Sequence, residues 1–242
     1  MPATALRRCR EGLPVLSAAE AEALALSFQV AAVGVGAAFP FALALALLLA
    51  RPPWPGRALL NALVHLPLVL PPVVMGYLLL IALGTRAPLG AWLDQTLGVR
   101  FVFSWQGAAL ASAVLTLPFQ VRAMRLGFEG VDAGLLQAAE TLGAGPLDRF
   151  FSVALPLALP GIVAGLITAF AAALGEFGAI ITFVSNIPGE TRTLPLAIYT
   201  AIQSPGGEAA AARLAALSIA LALAGLGLAE WASARARRLV AP

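Results

Sequence analysis

Four long stretches of the chain contain no charged residue. They cover residues 23–50, 58–85, 101–121 and 150–175, and even the shortest holds 21 residues. A helix crosses the hydrocarbon core of a bilayer with about 20 apolar residues, so each stretch is long enough to span it. Such continuous apolar runs lack the two-residue alternation of a membrane β-barrel, which leaves helices as the spanning structure. The pattern predicts an all-α polytopic membrane protein.

The limits of the apolar segments predict about five transmembrane helices. The expected spans are 23–50, 58–83, 105–121, one from Leu157 past Gly175, and 209–231.

The segment between the fourth and fifth spans leaves the number of spans open. It is apolar to Val184, then polar with Pro and Gly at 185–192, as is typical of a loop. The apolar piece that follows, 194–202, is too short to cross a bilayer and is expected to be re-entrant or interfacial. Six spans are the alternative.

Composition supports a membrane location and excludes several other classes. Apolar residues make up 60% of the chain and charged residues 11%, against roughly 25% charged in soluble domains. All fifteen basic residues are arginines at the ends of apolar runs, with no basic stripe for nucleic acid. The single Cys9 and the single His65 provide neither a disulfide framework nor a Cys/His metal cluster.

Arginine bias gives a direction to the predicted spans. With the N-terminus outside, the inner segments carry eight arginines and the outer segments four, apart from three in the N-terminal tail. This excess favours a periplasmic N-terminus and a cytoplasmic C-terminus. We therefore divide the chain into an outer tail at 1–22, a transmembrane domain at 23–235 and a short cytoplasmic tail at 236–242.

The arginine-rich segment at about 122–156, between the third and fourth spans, combines two short helical stretches. Residues 135–142 form the first, with small residues on one face, and residues 147–151 form the second. Gly143 and the pair Gly145-Pro146 separate them. A helix-turn-helix on the inner side predicts a docking element for another protein, and an ordinary loop is the alternative.

The same segment resembles the cytoplasmic loop of ABC importer permeases. That loop has the pattern Glu-Ala-Ala, three residues, Gly, nine residues, Ile, one residue, Leu-Pro. Gln137 replaces the acid and Val153 the isoleucine, so a charged contact with the ATPase would become a neutral hydrogen bond. The spacing is otherwise intact, and the docking residues that the resemblance implies are Gln137, Ala138, Ala139, Glu140, Gly143, Leu155 and Pro156.

Further segments narrow the resemblance to the molybdate permease family of type I ABC importers. They are residues 63–77, 174–179 and 186–195. The resemblance implies a homodimeric pore in the bacterial inner membrane, two copies of an ATPase subunit, and a periplasmic molybdate-binding protein. ATP and Mg would bind to the ATPase, and this chain would hold no cofactor. Sulfate, thiosulfate or tungstate are alternative substrates, and a secondary oxyanion transporter is the alternative class.

The lack of lysine indicates that transport and ATP hydrolysis are carried out by different chains. A phosphate-binding loop of the Walker type needs a lysine, and the sequence has none. The chain is therefore predicted to be a transport subunit without its own ATPase activity, so a separate chain would hydrolyse ATP.

Two groups of residues are candidates for the pathway and its outer mouth. Pro67 and Pro71 lie one helical turn apart in the second span and predict kinks. Glu176, between Gly175 and Gly178, is an ionisable group near membrane depth, for which we predict a hinge or gate role; a helix end facing water is the alternative. Outside, the predicted contacts for an oxyanion or the binding protein are Thr191, Arg192 and Thr193.

Overall fold

The computed structural model describes residues 17–240, and all regular structure in that range is helical. The helices are α1 (Ala18–Ala50), α2 (Arg57–Val69), α3 (Pro72–Leu83), α4 (Pro88–Leu97), α5 (Trp105–Glu129), α6 (Ala133–Thr141), α7 (Pro146–Arg149), α8 (Leu155–Leu174), α9 (Gly178–Val184), α10 (Leu194–Gln203) and α11 (Glu208–Val240), with a π-helical segment at Phe150–Ala154 between α7 and α8.

Four helical runs are long and apolar enough to cross a membrane. They are α1, α5, the run from α7 through α8, and the part of α11 up to Leu228. The pair α2 and α3 would be a fifth span, although the two helices meet at an angle of 111°. No other helix among residues 17–240 is long enough, so the alternative of six spans gains no support.

The predicted second span is not one kinked helix. Pro67 lies inside α2, whereas Leu70 and Pro71 are extended and α3 begins at Pro72. Proline has no N–H to donate to the preceding turn, and two in succession end the ladder of hydrogen bonds. The second span is therefore broken at Pro71, where a kink was predicted, whereas Pro67 lies within α2 and the kink predicted there stays a prediction.

Two helices extend beyond the predicted spans. Helix α5 continues past residue 121 to Glu129. Helix α1 begins at Ala18, inside the predicted tail at 1–22, behind a capping box in which Ser17 and Glu20 bond each other's backbone N–H. Residues 1–16 of that tail lie outside the described range. The short helix α4 was not predicted.

Small residues bring the three central helices close together. An ideal Cβ on Gly34 of α1 would lie 2.6 Å from the carbonyl oxygen of Ala109 in α5. A Cβ on Gly161 of α8 would lie 2.8 Å from the carbonyl oxygen of Ala123 and 2.9 Å from the Cα of Gly127, both in α5. Glycine permits this approach, which is how helices pack in lipid, where there is no hydrophobic drive between them.

The segment after α8 is folded into the bundle. Helix α9 has only seven residues, yet Ile180, Phe183 and Val184 are fully buried in an apolar cluster with residues of α1, α3 and α5. Helix α10 is held to α1 by the hydroxyl of Ser27, which accepts a hydrogen bond from the Leu194 amide at 2.6 Å. An ion pair of 3.0 Å between Glu20 and Arg213 joins the first turn of α1 to the second turn of α11. These contacts fix the end of the bundle opposite α6.

Candidate functional site

The segment from Asp132 to Ala154 forms two short helices at the end of the bundle. Asp132 caps α6, since its Oδ1 accepts a hydrogen bond from the Gly134 amide at 2.6 Å. After α6, Gly143 adopts a φ of 87°, which favours glycine, and α7 begins at Pro146. Helices therefore form at both predicted places, because their caps and breakers are local. We call residues 132–154 the end segment.

The end segment is joined to two membrane helices. Its π-helical part continues directly into α8. The ring of Phe150 stacks on Phe128 near the end of α5, with centroids 6.2 Å apart, and meets Phe151 edge-on at 5.0 Å. The end segment therefore contacts α5 and is continuous with α8.

The end segment exposes several large apolar side chains. None of the residues in α6, α7 or the π-helical part is buried. The exposed large apolar side chains are Leu135, Leu142, Leu147 and Phe151, with Leu142 exposed to 88% and Leu147 to 74%. Exposed apolar patches of this kind mark interaction sites.

The polar residues of the end segment mostly serve its own structure. Glu140, predicted to contact a partner, forms an ion pair with Arg149 at 2.5 Å that joins α6 to α7. Gln137 and Ala138 are exposed, and Ala139 is half-buried. The sequence pattern did not single out Leu142 and Leu147, whose exposure only the structure shows.

A second notable place is the contact between α9 and α3, next to the break between α2 and α3. A Cβ on Gly178, at the start of α9, would lie 2.9 Å from Cβ of Pro72, at the start of α3. One turn further, a Cβ on Gly76 would lie 2.6 Å from the carbonyl oxygen of Ala179. The structure thus places Gly178 next to the Pro71 break, with the two half-helices side by side, whereas Pro67 lies outside this junction.

Glu176 holds this junction through the backbone. Its Oε1 accepts a hydrogen bond from the Ala179 amide at 2.9 Å, which caps the start of α9. Glu176 is half-buried, and Gly175 beside it is exposed at the end of α8. The carboxylate therefore caps the first turn of α9, and its hinge or gate role stays a prediction.

Replacing Glu176 separates a capping role from a charge role. In Glu176→Gln the amide oxygen can still accept from the Ala179 amide, so we expect transport to stay within about threefold of wild type. In Glu176→Ala the cap is lost, at a cost of about 1 kcal/mol, and we expect a larger drop in transport. Initial uptake rates of the two variants, at equal protein level, decide this. Equal rates in both variants would rule out capping as the function of Glu176.

The loop between α9 and α10, which was predicted to lie outside, buries both of its threonines. The hydroxyl of Thr191 donates to the Ser185 carbonyl and accepts from the Ile187 amide, and Thr191 and Thr193 are exposed to only 0% and 2%. This burial does not support the predicted contact of Thr191 and Thr193 with an oxyanion or a partner. Arg192 is half-buried, and its Nε donates to Asn186 Oδ1 at 2.9 Å.

Comparison with known proteins identifies the class to which this arrangement belongs. Residues 38–238 match the model of the binding-protein-dependent transport system inner membrane components. The chain belongs to this family of multi-pass inner-membrane transport proteins.

Its relatives narrow the comparison. The chain is 60% identical over 184 residues to the molybdenum transport system permease protein ModB of Escherichia coli (strain K12), covering 76% of this chain and 80% of the relative. It is 54% identical over 191 residues to ModB of Haemophilus influenzae, covering 79% and 83%. It is 40% identical over 175 residues to the chloroplastic sulfate permease 2 of Chlamydomonas reinhardtii, covering 72% and 47%.

Solved structures share the fold. A bacterial alginate ABC transporter, solved in complex with an alginate pentasaccharide-bound periplasmic protein, matches 93% of this chain and 81% of its own with a TM-score of 0.69 and 20% identity. An amino acid ABC transporter matches 97% and 99% with a TM-score of 0.62 and 18% identity. At these identities the likeness concerns the fold alone.

Proposed function

We propose that the chain is the channel-forming permease subunit of an ATP-driven, binding-protein-dependent importer that moves molybdate across the bacterial inner membrane. The observation that carries this proposal is the 60% identity to a molybdenum transport permease over most of both chains. The exposed apolar end segment, at the position of the ABC permease loop, supports it independently of substrate.

The proposed partners follow from the surfaces of the chain. A second copy would complete the pore, and one ATPase subunit would bind each end segment, making two copies per transporter. ATP and Mg would bind to those subunits and not to this chain. A periplasmic molybdate-binding protein would deliver the substrate at the opposite end, where half-buried Arg192 is a candidate contact.

The end segment suggests how ATP hydrolysis would move the pore. The ATPase would bind the exposed apolar side chains of Leu142 and Leu147. Its motion would pass through Phe150 to α5 and through the π-helical part to α8. Because α8 ends at the Glu176 hinge, a tilt of α8 would change the junction between α9 and α3.

The proposal also fixes the orientation. With five spans, an end segment in the cytoplasm requires a periplasmic N-terminus and a cytoplasmic C-terminus. This agrees with the excess of arginines in the inner segments.

Substrate and energy source are tested together in proteoliposomes that contain the chain, its ATPase and its binding protein. We expect uptake of molybdate that requires ATP and persists in excess sulfate. Uptake without the ATPase would overturn the importer class in favour of a secondary transporter. Strong competition by sulfate would retain the importer class and reassign the substrate. Sulfate is the most informative competitor because the chain resembles a sulfate permease.

A further inference from the structure

A half-open pocket lined mostly by charged residues lies between α2 and α5, at the same end of the bundle as the end segment. It has a volume of about 260 Å³ and is lined by His65, Arg122, Arg125, Leu126 and Glu129. A water molecule occupies about 30 Å³ in the liquid, so the cavity has room for a small hydrated ion. We call it the α2/α5 cavity.

Hydrogen bonds hold the cationic wall of the cavity in place. Oε1 of Glu129 accepts from Arg125 Nε at 2.7 Å and from Arg57 Nη2 at 3.3 Å. Arg125 Nη1 also donates to Asn61 Oδ1 at 3.1 Å. The guanidinium of Arg125 is thus oriented from two sides before any ligand enters, which lowers the entropic cost of binding.

The His65 ring is oriented as well. Its Nδ1 lies 2.8 Å from the backbone carbonyl of Asn61. A carbonyl oxygen only accepts, so Nδ1 carries the proton and donates it. His65 therefore lines the cavity in a fixed position.

The charges around the cavity do not cancel. Arg57, Arg122 and Arg125 bring three positive charges against the single negative charge of Glu129, which leaves +2. Arg122 is exposed and makes no hydrogen bond or ion pair with residues 17–240. An uncompensated charge of this size beside an apolar bundle is offset best by a dianion, and guanidinium groups favour tetrahedral oxyanions through paired N–H donors.

Membrane topology alone does not explain this arrangement. Arginines at a cytoplasmic helix end need only to stay in water, where they act by their charge. Here two of them share one carboxylate oxygen, a side-chain amide fixes one of the two, and the group borders a cavity.

We propose that the α2/α5 cavity binds a tetrahedral oxyanion, with Arg122 and Arg125 as its principal ligands. This inference rests on the proposed function and deepens it, because it gives the transported dianion a site at the same end of the bundle as the end segment. The last turn of α5 carries both Glu129 and Phe128, which stacks on Phe150 of the end segment. An anion bound by Arg122 and Arg125 would therefore lie next to the proposed ATPase contact.

The test is direct binding to the permease–ATPase complex in nanodiscs, without the binding protein. Calorimetric titration with sodium molybdate, in discs of zwitterionic lipid, should show saturable binding. We expect Arg122→Gln to weaken it at least about tenfold, because a charge-assisted bond is lost. Arg122→Lys keeps the positive charge but loses the paired N–H donors of the guanidinium. Its molybdate affinity should fall between those of wild type and Arg122→Gln. Arg51→Gln is the matched control, since it removes an exposed arginine at the same end, outside the cavity.

A variant that is expected to bind molybdate more tightly distinguishes loss of the site from general misfolding. Glu129→Gln removes the competing carboxylate and should tighten binding severalfold, an effect that a poorly folded variant would not produce. A tetrahedral oxyanion could come from free molybdate or from the phosphate of a lipid headgroup, and discs that contain anionic lipid distinguish these two sources. A lipid phosphate in the cavity would show as competition with molybdate that Arg122→Gln abolishes and Arg51→Gln does not.

Some outcomes would overturn the proposal. They are equal molybdate affinity in wild type, Arg122→Gln and Glu129→Gln, or no saturable binding and no lipid effect that depends on Arg122. Either could occur while ATP-driven uptake with the binding protein remains intact, so the failure of this site is distinguishable from failure of the proposed function.

Discussion

A chain carrying both Leu142→Asp and Leu147→Asp is expected to lose ATP-driven uptake by a factor of about 100 or more. The two side chains are 88% and 74% exposed, so within its own chain each makes little contact that could be lost. Against a partner they would be the apolar centre of the interface, where a single truncation costs about 2 kcal/mol or more. A buried, unpaired carboxylate adds its desolvation cost.

Two measurements check this expectation. Co-purification of the ATPase with the variant should fall with uptake, while the thermal midpoint of the permease itself should stay within about 2 °C, as is usual for exposed substitutions. Glu140→Gln is the comparison: it removes an exposed ion pair within the same segment, which contributes at most about 1 kcal/mol. Full ATPase binding by the double variant would show that the partner binds elsewhere.

Gly161→Leu is expected to prevent correct packing of α5 against α8. Even the first carbon of the new side chain would lie 2.8 Å and 2.9 Å from backbone atoms of Ala123 and Gly127. Backbone atoms in two packed helices cannot turn aside as a flexible side chain can, and overpacking costs about 1–3 kcal/mol or more. We expect the thermal midpoint in detergent to fall by roughly 5–10 °C and the yield of folded protein to drop.

Gly36→Leu is the matched control for this prediction. Gly36 is an exposed glycine in α1, and an added Cβ there would meet nothing within 4 Å. The substitution also replaces glycine with a better helix former, so stability should be unchanged or slightly higher. If Gly161→Leu were as stable as Gly36→Leu, the close packing of α5 and α8 would be incorrect.

Several parts of the architecture follow from short stretches of sequence. The cost of placing a helix in lipid is a sum over some twenty consecutive residues, so the uncharged runs could be recognised without any knowledge of the fold. The two helices of the end segment are equally local, because Asp132, Gly143 and Pro146 cap or break them within a few residues. The family resemblance, confirmed by the match over residues 38–238, was visible for the same reason.

Contacts between distant residues could not be predicted in this way. The break at Pro71 was expected only as a kink, because a proline can bend or end a helix and the surrounding packing decides which. Thr191 and Thr193 fit an oxyanion by their chemistry, but the turn of the loop buries both.

The α2/α5 cavity shows best what the sequence predicts and what only the tertiary structure decides. Every arginine in it was recognisable from the sequence as a helix-end charge. Only the tertiary structure brings Arg57 to Glu129, 72 residues away, and sets Arg125 against Asn61.

Sequence by itself determined which segments enter the membrane and where the chain folds into short helices, since those free energies are local sums. The packing of the helices decided which charges, glycines and hydroxyls meet, because each such contact depends on two segments at once.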